Sequence, residues 1–212
     1  WTTRSTKGTE EMIVCHIEAT TSSPSLSYKN PWFRKTVRVV LQKEHHLAFS
    51  YMKYRSEYVL PGGGLEEGEA FSECAIRECI EELGYRIEPS PAGVIIKEFY
   101  DGIPRFEHVY LSGRIIPPQL PTSHTEEELY LGLQEVWIPL EDVCSTLINT
   151  VPHIREGEEQ PPFMIRAIQL CHIRELLGIS LLLNWKQSSS LQKAIERNHI
   201  RVTTTLSDAP YN

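Results

Sequence analysis

The sequence is short of positive charge and has no closely paired cysteines, and both shortages narrow what it can be. Lys and Arg number 21 against 28 Asp and Glu, for a net charge of −7. A chain this acidic is a poor match for a nucleic-acid backbone or an anionic membrane surface, because both recruit basic patches. It can still take a phosphate-bearing small molecule if a bound metal reverses the local field. The five cysteines (Cys15, Cys74, Cys79, Cys144, Cys171) are odd in number and form no CxxC pair. That spacing speaks for a reducing, cytoplasmic setting rather than a disulfide framework. No secretory leader is read in the sequence. Its longest apolar run, near Ile179–Leu183, falls far short of the roughly 20 residues that span a bilayer. Internal repeats are absent too.

What is present suits one domain of moderate size with additions at its ends. The apolar fraction of 41% is enough to bury a core. The expected division is an N-terminal extension over 1–30, a folded domain over 31–180, and a C-terminal helix or tail over 181–212. Thr/Ser-rich residues 20–25 read as a loop. Strand patterns fall at Met12–Ile17, Lys35–Gln42, His46–Tyr51, Tyr58–Leu60, Ala92–Tyr100, Phe106–Ile116 and Leu129–Pro139. The second and third of these pair across the polar turn at Lys43-Glu44-His45. Helical spacing marks Ala70–Leu83, Leu140–Ile148, Phe163–Leu177 and Leu191–Asn198. Strands and helices mix without a regular βαβ alternation, which predicts an α+β fold with a mixed sheet flanked by helices.

The chemistry concentrates in residues 60–85, LPGGGLEEGEAFSECAIRECIEELGY. A glycine run follows a short apolar strand and leads into a helix that Gly84 terminates. Phe71, Ala75, Cys79 and Leu83 recur every four positions as a core-facing stripe. Glu78, Glu81 and Glu82 stand at i, i+3 and i+4, which gathers three carboxylates into an arc roughly 100° wide. Such like charges weaken an isolated helix by a few tenths of a kcal/mol per pair. A hard divalent cation is the natural compensation. The plain alternative is a solvated acidic face, but it leaves the coincident glycines and Arg77 unexplained.

Residues Gly63 to Tyr85 match G-x5-E-x7-R-E-U-x-E-E-x-G-U, where U is apolar. Gly63, Glu69, Arg77, Glu78, Glu81, Glu82 and Gly84 fill every fixed position, and Cys79 and Tyr85 occupy the U positions. This resembles the Nudix box, and VWIPLEDV at 136–143 resembles the family's final strand and helix start. The resemblance covers roughly residues 33 to 178, and implies an α/β/α sandwich with a mixed sheet. It also implies hydrolysis of a phosphoanhydride bond in a nucleoside diphosphate linked to another group, a small-molecule nucleotide substrate with no nucleic-acid or membrane partner.

The same resemblance assigns roles. Gly62 would offer its carbonyl to a metal, with Glu78, Glu81 and Glu82 as carboxylate ligands. Mg²⁺ is the expected cofactor, and Mn²⁺ can substitute. Arg77 would orient the box carboxylates, and Glu69 would hold the loop or a metal-bound water. The general base is Glu78 or a glutamate outside the box. Glu126, Glu127 and Glu128 precede the last strand where some relatives carry one, although a solvated loop is the plainer reading of that run. Arg34, Arg38 and Lys43 could reach phosphate, but on a strand and turn solvent-facing charge is the plainer reading. Two further functions remain open: a non-catalytic nucleotide-sensing module, and isomerase chemistry on an isoprenyl diphosphate. The intact box disfavours both. Homodimerisation, common in the family, also stays open.

Overall fold

A computed structural model describes residues 12–19, 33–153, 161–186 and 188–207. The loop read at 20–25 lies outside them. The elements are β1 (Met12–Ala19), β2 (Arg34–Lys43), β3 (His46–Met52), β4 (Glu57–Val59), α1 (Phe71–Leu83), β5 (Arg86–Tyr100) and β6 (Ile103–Ile116), followed by α2 (Glu126–Leu131), β7 (Leu133–Pro139), α3 (Leu140–Asn149), α4 (Pro161–Leu182), α5 (Ser189–Arg197) and β8 (Ile200–Ser207).

The strands form one mixed sheet in the order β4-β3-β2-β6-β5-β1-β8, with β7 pairing β3. β2 runs parallel to β6 and β1 parallel to β5, while the remaining pairings are antiparallel. Both ends of the described chain therefore enter the sheet through β1 and β8. Among the described residues no helix is long and apolar enough to cross a membrane.

Alternation along β2 decides which layer each side chain joins. Val37, Val39 and Leu41 pack with Val109 and Leu111 beneath Cys74, Ala75, Cys79 and Leu83 of α1. Val40 belongs to the opposite face, where Phe49, Ile96 and Tyr110 meet Leu147 of α3, Leu177 of α4 and Leu191 of α5. Each fully buried side chain of this kind contributes about 1.5–3 kcal/mol. The result is an α/β/α sandwich whose catalytic-looking helix covers one face alone. The predicted α1 stripe is core-facing: Ala75, Cys79 and Leu83 are fully buried and Phe71 packs at its margin.

The face under α4 also carries buried charge. Glu98, His108, Arg174 and Glu175 are all less than a tenth exposed. Arg174 Nη2 donates to Glu175 Oε1 at 2.6 Å, and Arg174 Nη1 donates to Glu98 Oε1 at 3.4 Å. Burial works to raise the Glu98 carboxyl, yet Arg174 and His108 together hold it down to about 2. Burial, aided by Arg174, lowers His108 to about 4. The neutral imidazole can then accept from the Thr36 hydroxyl, 2.6 Å away at Nδ1.

Three differences from the sequence expectations have local causes. Leu129–Leu131 are helical, because Thr125 and Glu128 form a capping box and Gly132 closes α2 in the left-handed region (φ 68°). The T-x-x-E signature was present but obscured by the β-rich residues after it. β5 begins at Arg86 rather than Ala92, since a register shift between Pro89 and Gly93 accommodates its two prolines. Residues 200–207, tail by sequence pattern, form β8, whose Val202 and three threonines pair with β1, more than 180 residues distant in sequence.

Candidate active site

The site begins with a turn clamped to β2. After β4 the chain passes through Leu60 and Pro61 into three glycines. Val39 N–H donates to Pro61 O at 2.8 Å and Val37 N–H donates to Gly63 O at 2.9 Å. Gly62 has φ +143°, and a Cβ there would stand 2.1 Å from the Val37 carbonyl oxygen. Gly63 is required for a different reason: its Cβ would fall 2.2 Å from Glu78 Oε1. The absent side chain lets the α1 carboxylate descend onto the turn.

From α1, Glu82 reaches the same turn. It is 5% exposed, and its Oε2 accepts from the Ser50 hydroxyl on β3 and from Gly62 N–H at 3.4 Å. Burial pushes its pKa up to about 8, and the charges of Glu78 and Glu128 add to the effect. Burial also raises Glu78, against the pull of Arg77. Glu81 lies at the rim, its side chain 40% exposed.

One guanidinium joins loop and helix. Arg77 donates from Nε to Glu69 Oε1 at 2.8 Å and from Nη2 to Glu69 Oε2 at 2.9 Å, a two-pronged pair. Its Nη1 donates to Glu78 Oε1 at 2.8 Å and Glu81 Oε2 at 3.1 Å, and Nη2 also reaches the Gly64 carbonyl at 3.1 Å. Arg77 holds the Glu69 carboxyl down to about 2. Glu69 in turn accepts from Glu66 N–H at 2.9 Å, so its carboxylate ties the loop to the helix.

That pair has a pH signature. A carboxyl depressed in the folded state adds stability above its unfolded value near 4.5, and this stability is lost as pH falls toward about 2. Arg77→Gln should therefore remove part of the fall in stability between pH 5 and pH 2. Urea denaturation of both proteins across that window is the check, and parallel profiles would contradict the assignment.

The structure gathers Glu69, Arg77, Glu78 and Glu81 around the guanidinium, with Glu82 and Gly62 meeting beside them. Of the other proposed bases, Glu128 lies near enough to α1 for its charge to act on Glu82. Glu126 and Glu127 are exposed in the first turn of α2, while Glu128 Oε2 accepts from Thr125 N–H at 2.6 Å. Their approach to α1 is fixed by the segment before α2. Leu120 N–H donates to Gly84 O at 2.7 Å, Ser123 N–H to Glu81 O at 2.8 Å, and Gln119 Nε2 to Leu83 O at 3.0 Å. His124 Nε2 lies 2.9 Å from Glu82 O. These bonds satisfy carbonyls that the end of a helix leaves open.

Sequence reasoning missed Ser50, whose one signal was an inward register on β3 beside Ala48. It favoured a solvent-facing reading of Arg38, whereas the guanidinium turns inward: Nη1 donates to Gly62 O at 2.6 Å and to Leu60 O at 3.2 Å.

The donors on offer are all oxygens: three carboxylates and the Gly62 carbonyl. That chemistry suits a hard divalent cation. Among the described residues the hydrogen-bond partners of Glu82 Oε2 are neutral, a hydroxyl and an amide, and the charge of Arg38 offsets only part of its burial, so an added cation would stabilise the carboxylate. Among the described residues no three His, Cys, Asp or Glu side chains form a preassembled metal cluster. Mg²⁺ typically takes one or two carboxylates and keeps several waters, so it does not need such a cage.

The site is thus a glycine turn clamped under an acidic helix that Arg77 stitches to the preceding loop. The NUDIX domain model matches residues 32–160, and the chain belongs to that family. It is accordingly a hydrolase acting on pyrophosphate bonds. Solved structures similar to it include a NUDIX hydrolase from Nitrosomonas europaea (15% identity, 75% of this chain and 99% of that one, TM-score 0.46). A second NUDIX hydrolase from the same organism shows 18% identity over 56% of this chain and 64% of that one, with a TM-score of 0.41. The E. coli ORF135 protein shows 14% identity over 53% of this chain and 78% of that one, also with a TM-score of 0.41.

Proposed function

We propose that the protein is a Mg²⁺-dependent hydrolase that cleaves a phosphoanhydride bond in a nucleoside diphosphate linked to another group, with Mn²⁺ able to replace Mg²⁺. The observation that carries this reading is the buried Glu82 carboxylate beside the Gly62 peptide, with Ser50 and a backbone amide as its partners. Glu78, Glu81, Glu82 and the Gly62 carbonyl would hold the cation. When bound, it neutralises charge on the phosphoryl oxygens and polarises the phosphorus toward attack.

The chain's own groups do the rest. Arg77 keeps Glu78 and Glu81 turned toward one another despite their like charge. Ser50 fixes one oxygen of Glu82. Glu78, held in place by Arg77, takes the proton from the attacking water. The water oxygen forms the new bond to phosphorus, the anhydride P–O bond breaks, and the leaving phosphate carries away the electron pair.

A panel of nucleoside diphosphate derivatives, incubated with Mg²⁺ or Mn²⁺ and read for nucleotide and phosphate products, tests the reading. Turnover of at least one member, lost in EDTA, is expected. Nucleotide binding of equal affinity in EDTA with no product from any member would sink it in favour of a sensing module.

A further inference from the structure

We propose that Arg38 is a positioning residue for the candidate cation site: it sets the direction of the Gly62 carbonyl, and Glu175 on α4 keeps it there. The inference rests on the reading of Gly62 O as a ligand and adds two residues outside the box to that site.

Four successive carbonyls lead through the turn, and β2 engages all of them. Pro61 O and Gly63 O accept from the backbone amides of Val39 and Val37. Leu60 O and Gly62 O, which alternate with them, accept from Nη1 of the residue between, Arg38. The Gly62 bond is the shorter, at 2.6 Å. The opposite edge of the Gly62 residue, its N–H, is aimed at Glu82. The direction of the Gly62 carbonyl is thus decided by a side chain rather than by sheet pairing. At φ +143° glycine could otherwise rotate that peptide at little cost.

The other side of the guanidinium faces α4. Arg38 Nε lies 3.9 Å from Glu175 Oε1, with the two side chains 16% and 0% exposed. Glu175 is itself held: Arg174 Nη2 donates to it at 2.6 Å and the Tyr110 hydroxyl at 3.4 Å. Among the described residues Arg38 Nε and Glu175 Oε2 have no hydrogen-bond partner. The contact between them is therefore an ion pair without a direct hydrogen bond, which pins the guanidinium by charge while leaving Nη1 to the carbonyls. The layer under α4 is in this way linked to the turn that faces α1 across the sheet.

Equilibrium Mn²⁺ binding, followed by electron paramagnetic resonance of the free ion, separates positioning from simple electrostatics. Removing a positive charge near a cation site would by itself tighten binding. A positioning role predicts the reverse for Arg38→Gln: affinity about 10- to 100-fold weaker, the range seen when groups supporting metal ligands are lost. Arg38→Lys keeps the charge but loses the geometry, and should fall between the two. It carries the same expectation if Arg38→Gln does not fold. Saturating Mn²⁺ should restore most of kcat in either variant, which general damage to the fold would not allow. Wild-type or tighter Mn²⁺ binding in a folded Arg38→Gln overturns the inference alone. Failure of the wild-type protein to bind Mn²⁺ overturns the underlying ligand reading and the inference with it.

Discussion

Glu82→Gln is expected to lower metal-dependent turnover by about 10³-fold or more, corresponding to several kcal/mol of lost transition-state stabilisation. The same substitution should stabilise the protein in EDTA at pH 8. Burial raises the Glu82 carboxyl from 4.5 to about 8 in the folded state. Below 4.5 it is protonated folded and unfolded, and stability is at its full value. As pH rises toward 8 the unfolded chain gives up its proton while the fold still binds it, so stability falls, by roughly 4 kcal/mol at most. Glutamine keeps the shape without the proton equilibrium, so its profile should be flatter across that window. Urea denaturation in EDTA at pH 5 and pH 8 reads the difference. Equal slopes for the two proteins would place Glu82 outside the buried, cation-seeking role assigned to it.

The second large effect lies in the turn. Gly62→Ala should destabilise the fold by about 4 kcal/mol or more, at the extreme of single substitutions. Two costs combine: an L-residue at φ +143° is strained, and its Cβ would meet the Val37 carbonyl oxygen at 2.1 Å. That oxygen belongs to the central strand of the site and cannot move aside without breaking the β2 clamp. Gly68→Ala is the control, because Gly68 has φ +80° with nothing within 4 Å of its added Cβ. It should cost only about 1–2 kcal/mol, the strain alone. Comparable losses in the two variants, measured by chemical denaturation, would show that the close approach at Gly62 is unimportant.

Much of this was legible in the sequence because the signals are local. The helical period of Phe71, Ala75, Cys79 and Leu83, the glycine at 84 and the carboxylate spacing lie within a few turns of one another, and α1 ends at Leu83 with Gly84 in the left-handed region (φ 72°). The β2–β3 turn was equally local, its positive φ of 53° falling at Glu44. What stayed hidden depends on partners distant in the chain. Ser50 matters because β3 lies beneath Glu82, 32 residues later. Arg38 looked like a solvent-facing charge because its counter-ion sits on α4. β8 needed β1 to be a strand, and the 119–124 segment needed the open end of α1 to be more than a loop.

The central claim is that water is added across a phosphoanhydride bond at the α1 carboxylates with the help of a divalent cation. Its most direct test is turnover in ¹⁸O-labelled water with Mg²⁺, using whichever nucleotide derivative the panel identifies, with products read by mass spectrometry. One ¹⁸O in a product phosphate, and no product in EDTA or from Glu82→Gln, is the predicted result. Turnover undiminished by EDTA and Glu82→Gln, or a product isomeric with the substrate and free of label, would contradict it.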